Sequence, residues 1–567
     1  REAANKAARD KAITAWRNGD ERQRARIALF DVARQRAEAE SRFVRASGRF
    51  PLTAVGDVNT YALFAEHFRT LLAPTGRAGI IVPTGIATDD STKAFFGDLM
   101  RNQSLVQLTG FENEAFIFAD VHNAFKFCAL TISGSSRRIN SADFVFLCRY
   151  FEHVQESRRH FSLSYKDLLI LNPNTKTCPV FRTGVDAEIT KKIYSSWPVM
   201  VNEANGFNPW GVSFLRMFDM ANDSSLFNDK LVLTSHNASV KGNTLVSSDK
   251  VYLPLYEAKM VFQYDHRFGS LVGRENAGNR PSRKFEGWYG CDVVDPTDVA
   301  QPQYWVEQSE VADRLQHWRH KWLVGFRSIA RSVDERTVIA SFIPSSAVSG
   351  KFPILLPSVG SVNIILCLLA NLNSIPLDYI ARQKVGGTDL AYHYVKQFPV
   401  LPPSAFSPTD IAYIVPRVVE LVYTAWDIKA FAEDVWAEAD HELRARIYEC
   451  WRGNIAAAEP LAATNRAVAA HLAVAHAYMR DSFVVPPFIW HDERRAQIRA
   501  ELDARIARLY GLTRDELRYI LDPHDVNGPD FPGETFRVLK EKETKLYGEY
   551  RTRRLVLEAW DRKNDNH

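Results

Sequence analysis

The spacing of apolar positions changes twice along the chain, from an opening run of charged residues to alternating extended and helical periods and finally to helix alone. The first ordered unit opens at Asp57, where Tyr61, Phe64, Phe68 and Leu72 recur at helical spacing until Pro74 and Gly76 end the run. Phe64 and Phe68 lie on the apolar stripe of that helix and are expected to fill core volume. Gly79-Ile80-Ile81-Val82, closed by Pro83, predicts a short buried strand, and residues 89–100 predict a second helix with Phe95, Phe96 and Leu99 on one face. Strands are expected at 105–109, 125–132 and 144–148, with 111–124 a loop between the first two. In an open α/β sheet of this kind, cofactor chemistry sits at the carboxyl ends of the early strands. Those strands are expected to precede residue 1.

The pattern then divides the chain. Residues 1–47 predict a charged helical segment and 48–155 the C-terminal portion of the sheet. Residues 156–204 read as a polar linker holding Asn172-Pro173-Asn174 and a helix over 186–194. Residues 205–403 are irregular and rich in aromatics and turn formers, with a strand at 338–342 and a helix at 362–372, as in a mixed α/β module. Beyond Pro402-Pro403, residues 404–567 predict a helical support domain. Ser407-Pro408-Thr409-Asp410 supplies an N-cap, a proline at the first helical position and an acid at the third. Further on, Ile498, Leu502, Ile506 and Leu509 share one helical face, and Thr513 with Glu516 forms a capping box. No internal repeat suggests a solenoid.

Composition narrows the class of protein without naming a chemistry. The chain has 567 residues and an apolar fraction of 46%, enough for several packed domains and against disorder as the default. Lys and Arg number 71 against 67 Asp and Glu, a net charge of +4 that gives only a faint pull towards a polyanion. The six cysteines, Cys128, Cys148, Cys178, Cys291, Cys367 and Cys450, form no CxxC pair, so a reducing compartment and no metal site are expected. No apolar run reaches the length of a membrane span and the start lacks a signal-peptide core, so the expected location is cytoplasmic with no membrane partner. Because the first residue is Arg rather than Met, a truncated start is expected.

Several stretches together resemble one known family. They are Asp57-Val58-Asn59-Thr60-Tyr61-Ala62-Leu63-Phe64, Leu71-Leu72-Ala73-Pro74-Thr75-Gly76 and Ile80-Ile81-Val82-Pro83-Thr84. Further on come Asn172 to Arg182, Ala381 to Thr388, Lys396-Gln397-Phe398-Pro399-Val400, Phe531 to Phe536 and Tyr550 to Arg554. They look like the post-catalytic part of gamma-class DNA adenine-N6 methyltransferases, and within them like large single-chain enzymes of the fused restriction–modification, type IIG-like kind. The resemblance implies the C-terminal part of a Rossmann-like methyltransferase sheet, a mixed α/β target-recognition domain and a helical C-terminal domain. It also implies double-stranded DNA as partner, a role in restriction–modification or phage defence, and S-adenosyl-L-methionine as cofactor of the complete enzyme.

Two family motifs are missing from the sequence: the glycine-rich donor-binding loop and the Asn/Asp-Pro-Pro-aromatic tetrapeptide that orients the adenine amine. Asn172-Pro173-Asn174 and Asn208-Pro209-Trp210 each offer one proline, and both are expected to be turns. An N-terminal catalytic segment or a partner subunit would have to supply the chemistry. The chain is then either the DNA-recognition and base-flipping portion of the enzyme or a separate DNA-binding specificity subunit.

The resemblance places Phe118, in Ala115-Phe116-Ile117-Phe118-Ala119-Asp120, in the family's base-stacking loop, where an extrahelical adenine would need an aromatic surface. A core role for the same ring is equally compatible with its residue type. For DNA contact the strongest local signal is Arg382 and Lys384 leading into Gly386-Gly387-Thr388, followed by Lys396 and Gln397. Glycines allow close backbone approach, cations neutralise phosphates, and Thr388 and Gln397 offer hydrogen bonds to phosphates or base edges. An ordinary surface turn is the alternative. Arg551, Arg553 and Arg554 form a second basic cluster. Asp265-His266-Arg267, with one His and no nucleophile, is expected to be structural or to contact phosphate, and Asp522 and Asp525 are expected to be loop or cap residues.

Overall fold

The first helix, α1 (Lys6–Arg17), is followed by α2 (Glu21–Ala46), which charged pairs at i, i+3 and i+4 support, in the computed structural model, which describes residues 6–56, 58–271, 288–385, 387–478 and 484–562. Asp20 and Gln23 close a capping box at the start of α2, and of its 26 residues only Ile27 is buried. The chain then divides into two compact units, Arg1–Leu168 with Thr175–Cys178, and Leu169–Asn174 with Pro179–His567.

The first unit is built on a five-stranded sheet. Its elements run α3 (Thr60–Leu71), β1 (Arg77–Pro83), α4 (Gly85–Thr88), α5 (Lys93–Arg101), β2 (Leu105–Glu112), β3 (Lys126–Ser133), β4 (Ser141–Cys148) and β5 (Phe161–Ser164). The spatial order is β1-β3-β2-β4-β5. Strand β3 is antiparallel to both β1 and β2, β2 and β4 are parallel, and β5 is antiparallel to β4. Period-two patterning explains the core, because Cys128, Leu130 and Ile132 of β3 all point to the buried side. Helix α5 buries Phe95, Phe96 and Leu99, as their spacing predicts.

One packing expectation is overturned. Phe64 and Phe68 stand 58% and 42% exposed and stack on each other at 6.0 Å. Helix α3 instead turns Ala62, Ala65 and Glu66 inward. The buried Glu66 carboxylate accepts from the Leu52 and Thr53 amides and from Thr53 Oγ1 at 2.6–3.1 Å, so hydrogen bonds decide which face goes in. Helical spacing identifies an apolar stripe but not what covers it.

The second unit opens with a mixed α/β module. A four-stranded antiparallel sheet runs Ala340–Pro344, Trp322–Phe326, Ile354–Leu356, Ser213–Leu215. A second sheet centres on Val251–Tyr256, which pairs antiparallel with Tyr304–Glu307 and parallel with Ala347–Val348. Between them lies a core that includes Phe218, Leu255, Met260, Val306, Leu323, Ile343 and Phe352. The C-terminal region is helical, with the capping boxes at Ser407/Asp410 and Thr513/Glu516 formed as expected. Among the described residues no single helix is long and apolar enough to cross a membrane. The most apolar one, Val362–Leu372, is almost wholly buried.

The expected domain boundaries do not coincide with packing. Residues 161–164 of the expected linker are strand β5, and Gly184–Ser196 begins with a capping box whose Thr183 also bonds Tyr519 Oη at 2.8 Å. Residues 205–403 and 404–567 form one unit. Trp322 and Phe342 of the sheet meet Phe431 at ring distances of 5.8 and 4.6 Å, and Trp322 Nε1 donates to Asp434 at 2.8 Å. Sequence marks where periodicity changes, whereas burial of large aromatics ties the two periods together.

At the end of β3, Gly134 bonds Gly76 and lies against residues 73–74, where a Cβ would overlap the Ala73 and Pro74 carbonyls. Gly134→Ala is therefore expected to destabilise the first unit by about 1–3 kcal/mol, because backbone atoms must move. Urea denaturation monitored by a probe within residues 1–168 checks this, and an unchanged midpoint would remove the constraint.

Candidate nucleic-acid interface

Between β2 and β3 the chain leaves the sheet for residues 113–125, and a single buried side chain shapes the excursion. Asn113, fully buried, accepts from the Phe118 amide (2.9 Å) and donates to the carbonyls of Phe118 (3.0 Å) and Val121 (2.7 Å). A 3-10 turn over Asn113–Ala115 ends at Phe116 in a left-handed conformation, φ 51°. That conformation costs a non-glycine residue about 1–2 kcal/mol and persists because the Asn113 bonds fix the loop around it. The outcome is an apolar crest. Phe116, Ile117, Phe118, Val121 and Phe125 are all exposed.

Phe118 is held on one side only. Its ring meets Phe127 edge-on at 4.9 Å, and Phe127 stacks on Phe111 of the facing strand at 5.2 Å. The remaining surface is 40% exposed, so Phe118 is neither a core residue nor a loose one. Around the loop base Arg149 pairs with Glu112 and Glu114, and Lys126 lies 3.6 Å from Glu112.

The basic glycine segment of the second unit behaves differently. Arg382 is 6% exposed at its side chain and pairs with the fully buried Asp378 at 3.0 Å. Its guanidinium also donates to the carbonyls of Ser332, Asp334, Glu335 and Thr535 and stacks 4.4 Å from the Phe536 centroid. No donor is left for a phosphate. Lys384 donates to Leu171 O at 2.7 Å and to Asn172 Oδ1, and its ammonium sits 4.7 Å from the Tyr194 ring centroid. Burial pulls its pKa from the usual lysine value down to about 7. Gln397 is 2% exposed, and Lys396 pairs with Glu203 at 2.6 Å.

Arg382, Lys384 and Gln397, expected as DNA contacts, thus have their side chains engaged within the second unit. The helix Ile375–Lys384 lies against the core, and an i,i+4 acid–base pair on its inner side is buried with it. Gly387 and Thr388 remain exposed, and open space surrounds the Cβ position of Gly387. Thr388 O accepts from Ala330 N at 3.1 Å. Gly386 lies outside the described residues.

The remaining sequence candidates resolve as structure. His266 is fully buried with Nε2 2.9 Å from Asp427, and Arg267 donates to the carbonyls of Asp295, Asp298, Val293 and Thr424. Asp522 pairs with Lys540, and Asp525 with Arg518 and Arg553. Arg554 pairs with Glu549 and Glu558. Both single-proline motifs are turns, with Asn174 bonded to Val201 and Glu203, and Asn208 closing on Val212. Among the described residues no group of three or more His, Cys, Asp or Glu side chains is placed to hold a metal ion.

S-adenosylmethionine does not fit what the chain offers. The sequence has no glycine-rich strand-to-helix loop for the donor, and β1 runs instead into Pro83-Thr84 and the one-turn helix α4.

No family model matches the chain, and no curated protein does. Two solved structures are similar over much of its length. The type IIG restriction endonuclease BpuSI is 13% identical, with 71% of this chain and 50% of that chain covered at a TM-score of 0.25. The type IIL restriction-modification enzyme MmeI, solved with DNA, is 8% identical, with 70% and 48% covered at a TM-score of 0.33. The chain spans about half the length of each. Neither superposition is close enough to transfer an activity.

Two predictions follow from the buried cations. Arg382→Ala leaves the Asp378 carboxylate inside the protein with fewer partners, and is expected to cost about 3–5 kcal/mol in chemical denaturation. Lys384 has a folded pKa below its unfolded value, so between about pH 7 and 10.5 the unfolded chain binds more protons and stability rises with pH. Its contribution is lost as pH falls through about 7. Lys384→Met is expected to flatten the stability–pH curve over that window, and an unaltered slope would place the ammonium in solvent.

Proposed function

We propose that this chain is the DNA-recognition and base-flipping portion of a site-specific DNA adenine-N6 methyltransferase of the restriction–modification kind. The donor-binding loop and catalytic tetrapeptide come from outside these 567 residues. The observation that carries this reading is the aromatic crest on residues 113–125, set at the point where the sequence resembles the family's base-stacking loop. An adenine rotated from a duplex loses its stacking neighbours and needs a fixed aromatic face to replace them. Phe118 offers that face, with Phe127 and Phe111 behind it and Asn113 holding its backbone.

On this reading the roles of the loop residues are distinct. Phe118 touches the extrahelical base, while Asn113 is a positioning residue that acts through the loop. Gly387 and Thr388 are proposed to meet the duplex, the glycine admitting a close backbone approach and the threonine hydroxyl bonding a phosphate or base edge. Lys396 keeps its proposed phosphate role only if Glu203 releases it.

The test begins by selecting duplexes that the chain retains from a random pool and placing 2-aminopurine at each adenine of the selected sequence. Binding is expected to raise fluorescence at one position. Phe118→Ala should abolish that rise and weaken binding by about 5- to 150-fold, equivalent to the roughly 1–3 kcal/mol of one base–aromatic stack. Asn113→Ala should lower the rise with Phe118 still present. Retained fluorescence in Phe118→Ala would return that ring to a packing role, and failure to enrich any sequence would end the DNA reading.

A further inference from the structure

A cavity of about 350 Å³ lies beside the helix Asp492–Leu509 within the second unit, at the small end of the volumes that hold small ligands. Five cations and five carboxylates line it, so its formal charge is zero. The pairing, however, is unequal.

Each carboxylate already has a hydrogen-bonding partner. Glu335 takes Lys542 at 2.8 Å, Glu543 accepts from Thr552 N and Oγ1 at 2.6 Å, and Asp492 accepts from Trp490 Nε1 at 2.7 Å. Asp503 accepts from Ile375 N at 2.7 Å, and Asp265 from Arg267 N at 2.8 Å. Among the described residues Arg499 has neither an ion pair nor a hydrogen bond. Arg551, 13% exposed at its side chain, has a buried Nε without a partner and reaches only the exposed Glu493, at 4.0 Å.

The cations also crowd one another. Burial first, and then the charge of Arg336, hold Arg499 below the ordinary arginine value. Burial brings Arg495 to about 9, with Arg499 adding to the shift. Arg495 sits over the Trp490 ring at 3.6 Å and Arg551 over the Tyr547 ring at 3.8 Å, which holds both guanidinium groups in place before any ligand arrives. Asp503, Glu335 and Glu543 act on Arg499 through space but none hydrogen-bonds to it, so its guanidinium donors stay open to an anion entering the cavity.

We propose that this cavity binds a phosphate group, with Arg499 and Arg551 as its principal ligands and Trp490 and Tyr547 as the aromatic walls beside it. The site belongs to the second unit and the aromatic loop to the first, and the proposal does not depend on the proposed function. Its chemistry suits the phosphate of a small nucleotide or of a nucleic-acid strand.

The experiment measures thermal stabilisation and titration calorimetry of the full chain with inorganic phosphate, pyrophosphate, AMP and a short DNA duplex, all at constant ionic strength so that screening is equal. Phosphate or pyrophosphate at about 10 mM is expected to raise the melting temperature, as any ligand of the folded state does. AMP binding at least tenfold tighter than phosphate would make a nucleotide the source, and duplex competing with phosphate would make it a strand. Arg499→Gln is expected to weaken phosphate binding at least tenfold while leaving the unliganded protein folded, since Arg499 makes no hydrogen bond or ion pair that the fold would lose. Arg551→Gln, at the cavity wall, gives the same loss by an independent change. No binding of phosphate, pyrophosphate or AMP by the parent, or undiminished binding by both variants, would overturn the proposal.

Discussion

Asp378 is the buried charge on which the second unit depends. It is fully enclosed and is met by Arg336 at 2.7 Å, Arg382 at 3.0 Å and the Thr337 amide at 3.1 Å. A lone carboxylate in such a place would cost several kcal/mol, so its two arginines must be held as firmly as the acid itself. Arg382 is held by the carbonyls of Ser332, Asp334, Glu335 and Thr535, and through them the sheet module, the helix Ile375–Lys384 and the C-terminal segment close on one point. Asn371 repeats the device nearby, bonding Tyr510 Oη and the Leu401 amide. These polar ties explain why a stretch with mixed periodicity and a stretch with purely helical periodicity are one packing unit.

The first unit solves a different problem. Its sheet is held by alternating apolar residues, and its functional candidate is a loop that leaves the sheet and returns to it. Such a loop would ordinarily collapse its aromatics inward, because exposed Phe and Ile gain from burial. Asn113 prevents that by taking the loop's backbone groups as its own partners, which leaves Phe116, Ile117 and Phe118 facing out. The strand pair Phe111 and Phe127 then supplies a rigid backing. Function on this reading lies in what a polar side chain prevents.

Much of the fold was legible in the sequence. The strands containing Ile80, Leu108, Leu130 and Val145, the apolar helix Val362–Leu372 and the capping boxes at Ser407 and Thr513 are local features, set by periodicity and by hydrogen bonds within one turn. Phe118 was reachable only through family resemblance, and Asn113 carried no signal because its partners lie up to eight residues away in an irregular loop. Arg499 carried none either, since one arginine on a charged helix looks like any other.

What the sequence by itself determined, then, is the order and kind of the elements and the mixed α/β character with a helical C-terminal region. These follow from spacing along one strand or one helix. Only the tertiary structure decided direction. It turned Arg382 and Lys384 inward and Phe64 and Phe68 outward, against the expectation from residue type. Residue type fixes the cost of burial, but whether that cost is met depends on carbonyls and carboxylates contributed from far along the chain. Arg382 has Thr535, and Lys384 has Leu171, and no local pattern reaches that far.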